Sequence, residues 1–437
     1  MARLRLQAAV RPCAAAAAVL TLLAGCAAPR IPVGLVPAPP ARIGENRFID
    51  DADFAGLADA LRQSLRYYRR LPDQTAFSYG ELTYTAREME ASTALFLEIV
   101  ETSAGEARLA AIRDKFLVFE SRNDRGAAFF TGYFEPVLPG SLAPSERFRA
   151  PLHAVPADLM TLDLAPYADL GLVPAELRGK SLRGKLQGKN LVPYDDRDRI
   201  SFGNALAGRA EPIAWVADDV ELFFLQIQGS GLIRLGDGSL LRVNYADQNG
   251  HPYRAIGRLL RDRIPPEAMS LQALKAYLRE HPDQVREVLG YNPSYTFFRR
   301  VDEGPLGNIQ VPLTRGRSLA MDARLVPKGG IAWIETTLPP AATPGAPAPV
   351  PVRRFGVVQD TGGAITGHGR VDIFWGTGEE AERLAGPFKQ QGRVFLLVVR
   401  KEYVPPTRQR QAEKELGGAL FLESAVTTKK SQGLRGP

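Results

Sequence analysis

Beyond Arg300 the chain alternates short apolar runs with turn residues. Segments 308–313, 331–337, 353–359, 370–375 and 393–399 read as strands, and 378–387 reads as the one helix among them. Strands that return on themselves within about 100 residues, with a single helix between them, predict a small barrel. An open doubly wound sheet needs several alternating helices.

The rest of the chain has a different texture. Leu57, Leu61 and Leu65 lie at helical spacing within 51–71, with Tyr67 and Tyr68 following. Further helices are predicted at 81–103 and from Glu106 to Phe116, with Gly105 as the break. Gly126 to Pro136 reads as a strand with a tight stop, and 150–250 as short strands with glycine turns. Val220 to Gln228 is predicted to be a strand turned by Gly229-Ser230-Gly231. Leu232–Leu235 and Leu240–Tyr245 flank Gly236-Asp237-Gly238 as a hairpin, and helices are expected at 252–263, 270–279 and 282–289. Pro339 to Val352 reads as a surface insertion with no core role, and 404–437 as a basic flexible tail.

Composition excludes several classes. A chain of 437 residues with 45% hydrophobic and 24% charged residues has the size of two to three globular domains. The net charge is +7, but no tight basic cluster is interleaved with aromatics, so nucleic acid is not an expected partner. Both cysteines, Cys13 and Cys26, fall in the first thirty residues, so the folded body has neither a disulfide framework nor a cysteine metal site. The four histidines (153, 251, 281 and 368) form no HExxH and no close pair, so no metal is expected.

The first 25 residues read as an export signal, with Arg3, Arg5 and Arg11 ahead of the apolar run Ala14–Leu23. Leu23-Ala24-Gly25-Cys26 resembles a bacterial lipobox, which makes the Cys26 thiol the lipid attachment point. An ordinary signal cleaved near Ala27 or Ala28 is the alternative. Ala27 in place of Asp predicts the outer membrane, facing the periplasm. Residues 26–45 are proline-rich and read as a semi-rigid tether.

Three aspartates stand out in the barrel segment: Asp322, Asp360 and Asp372. Asp372 is flanked by Val371, Ile373, Phe374 and Trp375, and an apolar setting raises a carboxyl pKa towards that of a general acid. Asp322 and Asp360 stand beside glycine and proline turns, where a cap or an ion pair with arginine explains an aspartate equally well. Gly376-Thr-Gly378-Glu-Glu-Ala381 looks like a dinucleotide fingerprint, but no βαβαβ repeat surrounds it, so no cofactor is expected. Ser230 lacks the first glycine of GxSxG, so it is not a predicted nucleophile. Gln226 and Gln228, placed on one face of a strand and near Tyr245, Asn249 and Tyr253, suit sugar hydroxyls and N-acetyl groups.

Five runs together resemble the MltA family, the membrane-bound lytic murein transglycosylases A. They are Phe130–Pro136, Phe223–Gly231, Tyr245–Tyr253, Asn292–Phe298 and the three-aspartate segment, and the resemblance covers roughly residues 46–400. It implies a mainly β fold with helices: a double-psi β-barrel built from both chain ends (46–140 and 301–403), a second β-rich domain inserted at 141–300, and a groove between them. It implies cleavage of the β-1,4 bond between N-acetylmuramic acid and N-acetylglucosamine in peptidoglycan, forming 1,6-anhydromuramic ends. Asp372 would serve as acid and then as base, supported by Asp360, Asp322, Lys328 and Arg370. Thr131, Gly132, Tyr133, Gln226, Gln228, Gly229, Ser230, Tyr245, Asn249 and Gly250 would contact substrate. Implied partners are glycan strands, the outer membrane through the lipid anchor, and other murein enzymes. A hydrolase of the same bond and a non-catalytic peptidoglycan-binding lipoprotein are the alternatives.

Overall fold

The computed structural model describes residues 33–39 and 48–406, apart from 267, 344, 346 and 347. The signal segment, Cys26 and the tail beyond 406 lie outside the described residues.

The N-terminal part runs β1 (Gly34–Pro37), α1 (Leu57–Tyr68), the hairpin β2 (Ala76–Tyr79) and β3 (Leu82–Thr85), α2 (Ala86–Thr102), α3 (Gly105–Lys115), β4 (Phe116–Arg122) and β5 (Ala128–Glu135). The amphipathic spacing in α1 buries Leu57, Leu61, Leu65 and Tyr68. α2 starts later than its apolar pattern suggests. Thr85 and Glu88 form a reciprocal capping box there, and the residues before it pair as a hairpin.

A long excursion follows: β6 (Val137–Ser141), β7 (Ala150–His153), β8 (Met160–Asp163), α4 (Ala165–Asp169), β9 (Ser181–Gln187), β10 (Asn190–Pro193), β11 (Pro212–Val216), α5 (Asp219–Gln228), β12 (Ser230–Arg234), β13 (Leu240–Gln248), α6 (Leu271–Glu280), α7 (Val285–Gly290) and β14 (Thr296–Arg300). Its strands form a six-stranded sheet in the order β14-β13-β12-β6-β11-β7 and a three-stranded sheet β10-β9-β8. The chain then returns through β15 (Ser318–Ala320), β16 (Ile331–Leu338), β17 (Val350–Asp360), β18 (Arg370–Thr377), α8 (Glu379–Ala385) and β19 (Lys389–Val399).

These last strands close a barrel with β5. The order is β19-β16-β17-β15-β18-β5, and β5 pairs back onto β19. Two parallel pairs, β15–β17 and β18–β5, sit among antiparallel neighbours, as a double-psi barrel requires. Segments from before and after the excursion therefore build one barrel, and the excursion leaves it between β5 and β15. Trp333, Phe355 and Phe48 pack edge-on or tilted in its core, with centroids 4.8–5.4 Å apart. A buried ion pair, Arg317–Asp50 at 2.6 Å, ties the N-terminal segment to it.

Several sequence expectations need correction. Residues 34–37 are not free tether: β1 pairs with β4 and extends the barrel sheet. Val220–Gln228 is helix α5, not a strand. Asp218 caps its start by accepting from Glu221 N, and Gly229 ends it in the left-handed conformation. Residues 308–313 form a turn with one isolated bridge, Leu306–Pro312. Only Ile256–Arg258 of 252–263 is helical, as a single 3₁₀ turn. The 339–352 segment does reach the core, through Ala342 and Val352.

Candidate active site

A cleft of about 880 Å³ runs between the barrel and the inserted sheets. The barrel supplies Tyr133, Asp360, Arg370, Asp372 and the loop Thr361–Ile365. The insert supplies Arg197, Gln226, Gln228, Ser230, Tyr245 and Tyr253, among others. The turn at 306–310 forms a third wall.

Asp372 lies in β18. Val371, Ile373 and Trp375 point into the barrel core, and Phe374 packs against Tyr133 at 5.3 Å. Alternation thus sends the Asp372 carboxyl away from the barrel core and into the cleft. Thr131 on the neighbouring β5 donates its hydroxyl to Asp372 Oδ1 at 2.7 Å, and Arg370 donates to that same hydroxyl at 2.8 Å. Burial raises the Asp372 pKa, while the Arg370 charge and the Thr131 bond pull it down.

Asp360 ends β17 in the same cleft. Its Oδ1 accepts from the backbone N–H groups of Asn308 and Thr361, both at 2.9 Å. Burial pushes its pKa up to about 6, with the charge of Asp372 adding to the rise. The Tyr133 hydroxyl is buried without a well-aligned hydrogen-bond partner, and burial and the two carboxyls push its pKa upward.

The other predicted residues divide. Gln228, Gly229, Ser230, Tyr245 and Gly250 line the cleft, and Gln228 also accepts from Phe134 N at 3.0 Å, which fastens α5 to β5. Gln226 lines it too, but a helix does not turn residues two apart to one side, so the amides do not share a face. Asn249 does not contact the cleft. Its amide is used up on Asp195 O, Pro293 O and Tyr295 N, which makes it a structural pin. Gly132 is a packing residue, since a Cβ there would stand 2.6 Å from the Trp375 ring. Thr131 acts from behind Asp372 rather than from the lining.

Asp322 and Lys328 are outside the cleft. Asp322 pairs with Arg324 at 2.7 Å and accepts from Gly367 N at 2.9 Å, so it braces the loop that leads to β18. Lys328 contributes its carbonyl, which accepts from Tyr68. Sequence reasoning missed Arg197, Asn244 and the 306–310 turn. Asn244 holds that turn through both its amide atoms, at 2.8 and 3.1 Å from Leu306. No local pattern marks these residues, because their partners are far along the chain.

Comparison with known proteins agrees with this architecture. Residues 129–299 match the MltA specific insert domain, and 317–398 match the 3D domain. The chain is 32% identical over 283 residues to membrane-bound lytic murein transglycosylase A of Escherichia coli K12, covering 64% of this chain and 67% of that one. A membrane-bound lytic murein transglycosylase from Agrobacterium tumefaciens superposes with a TM-score of 0.68 at 30% identity, over 85% of this chain and 99% of that one. The structure of E. coli MltA with bound chitohexaose superposes with a TM-score of 0.61 at 25% identity, over 85% and 95%. With the insert and the 3D region both matched and the fold shared over most of its length, the chain belongs to the MltA family of membrane-bound lytic murein transglycosylases, enzymes that cleave peptidoglycan.

Proposed function

We propose that Asp372 is the single catalytic carboxyl and that the products carry 1,6-anhydromuramic ends. One contrast carries this reading. Of the two carboxyls on the cleft, Asp360 is held by two backbone N–H groups with the Tyr133 hydroxyl beside it, whereas Asp372 accepts only the Thr131 hydroxyl. Burial favours the neutral form that a general acid needs.

Neutral Asp372 protonates the glycosidic oxygen between N-acetylmuramic acid and N-acetylglucosamine as the bond to C1 breaks. The carboxylate that results takes the proton of the C6 hydroxyl of the same muramic sugar while that oxygen closes on C1. The nucleophile is already tethered to the electrophile, so no water has to be positioned. One carboxyl serves both steps, unlike the paired carboxylates of ordinary glycosidases. The Arg370 charge steadies the carboxylate between the steps. Tyr245 and Tyr253, each partly exposed on the cleft, offer ring faces to the sugars. The bound chitohexaose of the E. coli relative supports a glycan strand as the occupant.

The body is held at the outer membrane by acyl chains on Cys26. The lipobox spacing and the membrane-bound relatives support this, and no helix of the described residues is long and apolar enough to cross a membrane.

The test is digestion of purified sacculi by wild type and Asp372→Asn. The wild type should release anhydro-muropeptides. The variant, folded by circular dichroism and still bound to sacculi, should turn over at least about 10²–10⁴ times more slowly. Activity within tenfold of wild type would move the catalytic role to another group, Asp360 first.

A further inference from the structure

The insert builds a second polar corner on the cleft, from Arg197, Gln226, Asn292 and Ser294. The Arg197 guanidinium donates to the carbonyls of Asn292 and Ser294, at 3.1 and 2.5 Å, and to Gln226 Oε1. The rings of Phe223 and Tyr295 lie 4.6 and 5.3 Å from its centre. None of these partners is an acid. Nearby arginines of the insert are paired: Arg199 with Asp195, Arg209 with Asp158 and Arg286 with Asp198. Among the described residues no carboxylate stands within ion-pair distance of Arg197. Asp219 acts on it only through space, from beyond that distance, and burial lowers the Arg197 pKa to about 10.

Two donors beside it are also under-satisfied. Asn292 Nδ2 is buried with no hydrogen-bond partner, and Gln226 Nε2 is buried without a well-aligned one, the Tyr295 hydroxyl standing nearby. Their orientations are fixed by their oxygens. Gln226 Oε1 accepts from Arg197, and Asn292 Oδ1 accepts from the N–H groups of Arg254 and Ser294 at 3.1 and 3.2 Å. Flipping either amide would set donor against donor. Orphaned buried donors are rare in folded proteins and mark a place where something else completes the set.

We propose that this corner is a subsite for a carboxylate on the lactyl–peptide arm of muramic acid, and this rests on the reading of the cleft as a glycan-strand site. A cation with no carboxylate in ion-pair reach and two buried, under-satisfied N–H donors, on residues that line the cleft, call for an anionic acceptor, and charge-assisted bonds to it are strong. In a murein strand only the muramoyl residues carry such an arm, since N-acetylglucosamine is neutral. Holding the arm at Arg197 therefore sets the register of the strand. It decides which sugar of each alternating pair presents its C6 hydroxyl and C1 to Asp372. The same contact separates murein from chitin, whose sugars have the same backbone but no acid.

The experiment is calorimetric titration of the Asp372→Asn protein with three tetrasaccharides. The first is a GlcNAc–MurNAc repeat bearing an L-Ala-D-Glu stem, the second is the same compound with its stem carboxyls amidated, and the third is chitotetraose. The free acid should bind at least about tenfold more tightly than the amidated compound. Gln226→Glu places a carboxylate against the Arg197 guanidinium and Asn292→Asp adds one to the same corner, neither changing volume, and each should abolish that preference. Equal binding of the acid and amidated ligands would overturn the proposal, as would a preference that survives both variants in folded protein. Cleavage of ligand during the titration would overturn the role given to Asp372 instead. The preference is then read as the ratio of kcat/KM for the two ligands.

Discussion

Thr131 and Asp372 stand directly opposite one another on the parallel strands β5 and β18, joined by a 2.7 Å hydrogen bond between residues 241 positions apart. The first half of the chain thus supplies the group that orients the proposed catalytic carboxyl in the second. Burial raises the Asp372 pKa, and the Thr131 hydroxyl, which favours the charged form, holds part of that rise back. Thr131→Val should let the pKa climb further. Activity that needs neutral Asp372 is lost as pH rises through this pKa, so the alkaline limb of kcat/KM should move to higher pH. The maximal rate should fall roughly tenfold, because the carboxylate loses its orientation for the second step. Thr131→Ser should restore both. A pH–rate profile on soluble murein fragments checks this, and a limb displaced to lower pH would contradict it.

Asp360 gives a stability prediction. Its folded pKa of about 6, raised by burial first, exceeds its ordinary value of 3.8. Between these values the folded state binds more protons than the unfolded state, so stability falls as pH rises from about 4 to 6. The deficit is then complete at neutral pH, on the order of 3 kcal/mol. Asp360→Asn keeps an oxygen for the N–H groups of Asn308 and Thr361 and has no charge to bury. The variant should therefore be more stable than wild type at pH 7 and should lose the decline between pH 4 and 6. Urea midpoints at several pH values decide it. A variant less stable than wild type at pH 7 would mean that the carboxylate is favoured in place.

The barrel was legible because its strands are short, apolar and bounded by turn residues. The 331–337 run is Ile331–Leu338, and 370–375 is Arg370–Thr377. Asp372 was legible for the same reason, since period-two alternation separates it from Val371, Ile373 and Trp375. Helix α5 was misread because its apolar residues face two cores. Leu222 and Leu225 pack into the sheet core, while Val220, Phe223 and Phe224 pack into a second cluster with α6 and α7. A helix wedged between two cores shows no 3.6-residue period, so its flanking Asp218 and Gly229 were the signals to weigh. What sequence could not supply was long-range pairing: β5 beside β18, β1 beside β4, and the carbonyls that surround Arg197.

Anchoring has its own test. The lipobox reading makes the Cys26 thiol the acylation point, and Gly34 in β1, the first paired residue among the described ones, follows eight residues later. Eight residues span at most about 29 Å, so an acylated Cys26 would hold the barrel close to the membrane surface. Cys26→Ala should release active soluble enzyme or block processing. Membrane fractionation reads the outcome, and a variant that sediments with the outer membrane as tightly as wild type would rule the thiol out.

Asp322 separates bracing from chemistry. Its carboxyl is held down to about 2, first by the Arg324 side-chain bond, with burial opposing and the Gly367 N–H adding to it. A folded pKa below the ordinary 3.8 means stability that is fully present above that value and lost as pH falls through about 2. Asp322→Ala should cost roughly 1–3 kcal/mol at pH 7, typical of a lost charged hydrogen bond, and the deficit should shrink below about pH 3. Asp322 reaches Gly367 in the segment that carries the cleft wall Gly362–Ile365, so KM should rise several-fold as that wall loosens. The rate per folded, saturated molecule should survive, since the carboxyl is outside the cleft. Denaturation at pH 7 and pH 3, run beside a digestion assay, measures both effects. A folded Asp322→Ala protein with no turnover at saturating substrate would make Asp322 part of the chemistry and end the division of labour between it and Asp372.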